Sequence, residues 1–128
     1  MMNIKNFRDL EVYQLGKKVA IGIFEISKKF PAEERYSLTD QVRRSSRSVC
    51  ANIAEGWKKR RYEAAFVAKL SDAETECAET QVWIEFAYEF GYIDKATFLK
   101  IDDECEHINA MLIRISEYSH KWTATKSQ

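Results

Sequence analysis

The sequence predicts an all-α protein folded as an antiparallel up-down-up-down four-helix bundle, and three observations carry that expectation. Apolar residues recur at steps of three and four along almost the whole chain, the period of a helix with one buried face. Only four glycines and one proline are present, too few for the many turns of a β protein. The breaks in the apolar pattern leave four long segments joined by short connections, and short connections make successive helices antiparallel. A chain of 128 residues suits a single domain spanning 1–128, long enough to bury a core.

The first helix is expected over about 10–30, with Val12, Leu15, Val19, Ile23 and Ile26 on one stripe and Tyr13, Ala20 and Phe24 on the next. Pro31 ends it, because a proline ring disfavours helix in the preceding residue. The second runs over about 38–56, with Ser37 in position to cap it and Leu38, Val42, Ser45, Val49, Ile53 and Gly56 along its seam. The small residues in that seam allow a close helix neighbour. The third covers about 62–90, with Phe66, Leu70, Ala73, Cys77, Ile84 and Ala87 inward and Gly91 as its stop. The fourth covers about 94–122, capped by Asp94 and carrying Phe98, Ile101, Cys105, Ile108, Leu112 and Ile115. The polar tail 123–128 is expected to fray.

No apolar run approaches the roughly 20 residues that span a bilayer, and Met1 to Leu10 has no apolar signal-peptide core. The expected setting is therefore the cytoplasm, without membrane partners. Cys50, Cys77 and Cys105 are an odd number and form no C-x-x-C pair, which points to reduced core or half-buried thiols. Only Cys50, close to Arg47, approaches the electropositive setting of a reactive thiol. Two Glu-x-x-His pairs, Glu104 with His107 and Glu117 with His120, bear on metal chemistry. Both lie on the fourth helix, thirteen residues and about 20 Å apart, whereas a di-metal centre draws such pairs from two helices. No metal site, cofactor or catalytic constellation is expected.

Charge is neutral overall, with 20 basic and 20 acidic residues, but it is segregated. Gln41 to Arg61 holds seven basic side chains against one acidic, whereas Asp72 to Glu106 holds eleven acidic against two basic. Arg43, Arg47, Lys58, Lys59, Arg60 and Arg61 are the candidate nucleic-acid contacts, since free cations on one face displace counterions from phosphates. Trp57, Tyr62 and Phe66 stand near enough to add stacking on unpaired bases. The same arginines could instead meet the acidic third or fourth helix of a neighbouring subunit. Helical spacing places Arg44, Ser48, Ala51 and Glu55 on one face of the second helix, and Arg43, Arg47, Cys50 and Ala54 on the next. Gln41, Arg44, Asn52 and Glu55 are expected to form a structural polar network, with Glu55 bonded to an arginine.

Several stretches carry a resemblance that amphipathic patterning alone would not require. They are Phe7-Arg8-Asp9-Leu10 with Val12-Tyr13-Gln14, and Phe30-Pro31 with Glu34, Tyr36, Leu38-Thr39, Gln41, Arg43-Arg44 and Ser48. Asn52-Ile53-Ala54-Glu55-Gly56 and Gly91-Tyr92-Ile93 complete the set. Together they resemble the four-helix-bundle proteins called 23S ribosomal RNA intervening-sequence proteins, over nearly the whole chain. The resemblance implies a left-turning bundle and a ring-shaped homo-oligomer, a pentamer. The family is named for a gene position inside large-subunit rRNA genes, so it implies no activity. A more distant resemblance, to the accessory protein of diversity-generating retroelements, implies a basic pentamer that engages nucleic acid and a protein. Where many relatives carry Gly-Ser in the third helix this chain reads Glu76-Cys77-Ala78-Glu79-Thr80, so a uniformly basic barrel is not expected.

The expected function is that of a non-enzymatic homo-oligomeric scaffold or adaptor that binds RNA or DNA through the basic patch. The alternative is a protein-binding module without nucleic-acid affinity, using Trp83, Phe86, Tyr88 and Phe90 of the third helix as its partner surface.

Overall fold

The structure is a computed structural model that describes residues 4–123, and its regular elements are all helical. The α-helices are α1 (Glu11–Ser27), α2 (Leu38–Lys58), α3 (Glu63–Glu89) and α4 (Lys95–Glu117). Each helix contacts the next, and α1 closes on α4. Partner residues rise in number on one helix as they fall on its neighbour. Ser27 meets Arg43 where Gly16 lies beside Cys50, Arg44 meets Glu79 where Lys69 meets Glu55, and Gln81 meets Asp102 where Glu63 meets Ser119, while Lys18 meets Glu104 across the closing pair. All neighbours are therefore antiparallel, the up-down-up-down arrangement that the short connections predict.

The apolar seams face one another. Val12, Val19 and Ile23 of α1, Val42, Val49 and Ile53 of α2, Phe66, Leu70 and Ile84 of α3, and Ile101, Ile108 and Leu112 of α4 are all buried. One polar contact crosses this core, where the Ser45 and Thr80 hydroxyls lie 2.8 Å apart. Both find backbone acceptors one turn back as well, Val42 O and Glu76 O, so neither is left unsatisfied. Among the described residues no helix is long and apolar enough to cross a membrane.

The helix ends show where local sequence decides the boundary. Helix α1 leaves the α-helical path after Ser27 and tightens into three-residue turns up to Phe30, the last residue before Pro31. Gly91 closes α3 at φ +81°, with Tyr92 N–H on Ala87 O and Gly91 N–H on Tyr88 O, the paired bonds of a Schellman cap. The Asp94 carboxylate accepts from Thr97 N–H at 2.8 Å and caps α4.

Two boundaries differ from the sequence expectation. Ser37 occupies the position before α2, but its hydroxyl makes no cap bond and donates instead to the Glu34 carboxylate at 2.6 Å. Glu34 then accepts from Leu38 N–H and from the Tyr92 phenol, so a carboxylate one turn upstream caps α2 and ties it to the α3–α4 connection. Helix α4, expected to reach Trp122, ends at Glu117, and a 3₁₀ turn, Ser119–Lys121, follows. That turn buries Ser119, whose hydroxyl donates to Glu63 on α3, and brings Trp122 edge-on to Trp57 with ring centroids 5.9 Å apart. The expected fraying of the tail concerns residues 124–128, which lie outside the described residues, together with Thr123 at their border.

Two variants test these ends. Gly91→Ala places a side chain at a left-handed position and is expected to cost about 1–2 kcal/mol in urea denaturation. Glu34→Ala is expected to cost about 1 kcal/mol at pH 7, the usual size of a lost cap. Hydrogen bonds from Ser37 and Tyr92, then Leu38 N–H, hold the Glu34 carboxyl below its ordinary value of 4.5. Its stabilisation is thus full above that value and is lost as pH falls through the folded-state value. The gap between wild type and Glu34→Ala should narrow on acidification, and a gap independent of pH would refute the capping role.

Candidate functional site

Helix α2 turns its seam inward, so its two flanks lean towards α3 on one side and α1 on the other. The α3 flank is fully paired within the chain. Arg44 Nη2 bonds Glu79 Oε2 at 2.6 Å and Nη1 lies 3.5 Å from Glu76 Oε1, and the Glu79 hydrogen bond raises the guanidinium pKa further. The same Glu79 oxygen accepts from Trp83 Nε1 at 3.1 Å. One helical stretch further along, Lys69 Nζ bonds Glu55 at 2.8 Å and Asn52 Oδ1 at 3.3 Å. Asn52 Nδ2 in turn donates to the carbonyl and hydroxyl of Ser48.

This network corrects two sequence expectations. Glu55 pairs with a lysine of α3 and not with an arginine, because Arg44 and Arg47 are about three and two turns away along α2 while Lys69 lies directly across. The acidic partners of Arg44 belong to its own chain. Gln41 is half-buried and takes no part in these contacts. Lys69 lies outside the basic segment that the sequence brings forward, yet it is the sole basic residue between Tyr62 and Asp94 and so the one cation α3 could offer.

The α1 flank is different. Arg43 Nε donates to Ser27 Oγ at 2.7 Å, and its guanidinium lies over the Phe24 ring, 4.7 Å from the centroid. Arg47 approaches the same ring at 5.8 Å and Lys28 Nζ at 4.8 Å, favourable positions for a cation on an aromatic face. Arg35, Arg43 and Arg47 line an open groove of about 560 Å³ with Thr39, Asp40, Ser48 and Ala51, and the carboxylate-paired Arg44 stands on its α3 side. Among the described residues none of Arg35, Arg43 and Arg47 has a carboxylate within 4.0 Å.

At the C-terminal end of α2, Lys58, Lys59 and Arg61 are exposed. Lys58 falls on the stripe of Arg47 through the small residues Ala51 and Ala54, about 16 Å along the axis. Arg60 does not join them. Its guanidinium stacks 3.5 Å from the Trp57 ring centre, Nε donates to Trp57 O at 2.9 Å, and loss of water lowers its pKa. Trp57 and Phe66 are 5% and 2% exposed, so of the three aromatics expected near the patch only Tyr62, at 65%, faces outward.

Cys50 is half-buried and its thiol is pushed up to about 11 by burial, which removes the reactive character that proximity to Arg47 suggested. Cys77 and Cys105 are buried and face each other, with Cys77 Sγ donating to Cys105 O at 3.4 Å. His107 and His120 are exposed, and among the described residues no three His, Cys, Asp or Glu side chains gather to hold a metal ion.

The model of the 23S rRNA-intervening sequence proteins matches residues 8–114. Among solved structures, one similar to this chain is that of a protein of unknown function from the S23 ribosomal protein family of Bacteroides thetaiotaomicron. It superposes with a TM-score of 0.74 at 28% identity, over 83% of this chain and 95% of that one. No curated protein matches the chain.

The two flanks should respond differently to truncation. Arg44→Ala takes the cation away from Glu76, whose buried Oε1 has no hydrogen-bond partner, and is expected to cost about 1 kcal/mol, part of which Glu76→Gln restores in the double variant. Arg47→Ala should change stability by less than about 0.5 kcal/mol. Urea denaturation of the four proteins decides this, and equal costs at Arg44 and Arg47 would refute the division.

Proposed function

The chain belongs to the 23S rRNA-intervening sequence protein family, and from that premise we propose a cytoplasmic, non-enzymatic adaptor that self-associates and binds RNA or DNA. The observation that carries this reading is the α1 flank of α2. Of the four arginines that line one open groove with Asp40, Arg44 is paired with Glu79 while Arg35, Arg43 and Arg47 have no carboxylate within ion-pair distance among the described residues, and Lys58, Lys59 and Arg61 extend the basic surface beyond it. Ion pairs would have offset these charges, as they do at Arg44. Phosphates are the anions that best match several forked donors on one strip of surface.

Self-association draws on α3. Val82, Phe86 and Phe90 are 46%, 44% and 54% exposed, and Trp83, Phe86 and Phe90 stand ring against ring along the helix. A helix that is apolar beyond its core seam is one that a second surface covers. A ring, a pentamer by the resemblance, would repeat the arginine groove around an axis and bind a polyanion through effective concentration. Binding of a different protein on the α3 face is the second reading, favoured by the same exposed rings.

Fluorescent structured RNA, duplex DNA and single strands, titrated across a salt series with the mass followed by light scattering, test this function. The expected result is an oligomer whose log affinity falls linearly with log salt. Arg43→Ala and Arg47→Ala should each reduce the slope by about 1. A monomer that binds none of the probes at low salt would refute the proposal and leave the second reading.

A further inference from the structure

We propose that the nucleic acid this surface takes is single-stranded, with phosphates in the arginine groove and one unpaired base in an apolar groove beside it. The inference rests on the nucleic-acid reading above and adds the form of the strand. The second groove, of about 340 Å³, runs between α1 and α2 and is lined by Tyr13, Ala20, Ile21, Phe24 and Cys50 together with the cations Lys17 and Arg47. Arg47 lines both grooves, so a phosphate held at Arg47 leaves its attached base next to the apolar one.

Each part of that geometry fits a strand with free bases. The apolar groove is within the size range of small-molecule sites. Ile21, at its mouth, is 53% exposed and turns a branched aliphatic surface to water in the middle of α1, where a flat base would cover it. Arg43 is held in place before any ligand arrives, by Ser27 Oγ and the Phe24 ring, and only its Nε is used, so both terminal nitrogens can fork onto a phosphate. A double helix keeps its bases stacked inside and presents phosphates and sugar, which would leave the apolar groove bare. A surface that reads phosphate charge alone favours the duplex, whose charge density is higher, so preference for single strands is diagnostic.

The test uses fluorescent oligonucleotides of equal length, as a mixed-sequence single strand, as the corresponding duplex, and as a single strand with abasic positions throughout, at one salt concentration. The intact protein should bind the single strand about tenfold tighter than the duplex, within the range one stacked base contributes, and the abasic strand should lose that advantage. Ile21→Asn should shrink the advantage several-fold while its salt slope stays that of the parent, because it removes an apolar wall and no charge. Circular dichroism checks that the variant is folded. Equal or tighter binding of the duplex, or undiminished binding of the abasic strand, overturns the inference while leaving nucleic-acid binding standing. Failure to bind any of the three at low salt overturns the function on which it rests.

Discussion

Helix α2 approaches α3 along a seam of small side chains, and the distribution of charge over the rest of the surface depends on that approach. Ser45 meets Thr80 at 2.8 Å in the core, and a Cβ on Gly56 would stand only 3.1 Å from the Cβ of Lys69. With the backbones this close, Arg44 reaches Glu76 and Glu79, and Lys69 reaches Glu55 and Asn52. A bulkier seam would hold these partners apart. The pairs themselves are half exposed and individually contribute little to stability. Their consequence is positional, since they fix which basic residues of α2 are neutralised and which are not.

The opposite flank of α2 has no acidic helix beside it. Helix α1 offers Ser27, Phe24 and an aliphatic surface there, so Arg43 is oriented by a hydroxyl and a ring and Arg47 by the ring, with no carboxylate beside either among the described residues. The same segment of sequence thus yields a neutralised face and a charged one, although the protein as a whole is neutral. Arg60 shows how burial alone can withdraw a cation from a patch without any carboxylate, by stacking on Trp57.

Much of the fold was legible because it follows from a single period. The seams of α2 and α3 are buried where steps of three and four placed them, and Gly91 and Asp94 act as stop and cap for reasons local to a few residues. The α2 cap was not legible at Ser37, since the competing Glu34 carboxylate is brought there by a 3₁₀ turn, Ala32–Glu34. The end of α4 was missed because tertiary contacts of Ser119 and Trp122 override a pattern that still looks helical. An arginine partner is expected for Glu55 where Lys69 stands, because segregation of charge gives the sign of a partner but not the helix across the way. Trp57 and Phe66 stand beside the charge cluster, where stacking on bases is expected of both, and Phe66 falls on the apolar seam of α3 as well. The seam reading holds, since a ring next to a charge cluster can point either way and only its helical phase decides.

The central claim is that packing divides the arginines of α2 into held and available ones. The most direct test follows the arginine Nε–H signals by nitrogen–proton NMR while a single-stranded oligonucleotide is added. The division predicts that Arg35, Arg43 and Arg47 shift with saturation while Arg44, bound to Glu79, and Arg60, stacked on Trp57, do not. Equal movement of Arg44 and Arg60, or no movement of Arg43 and Arg47, would contradict it.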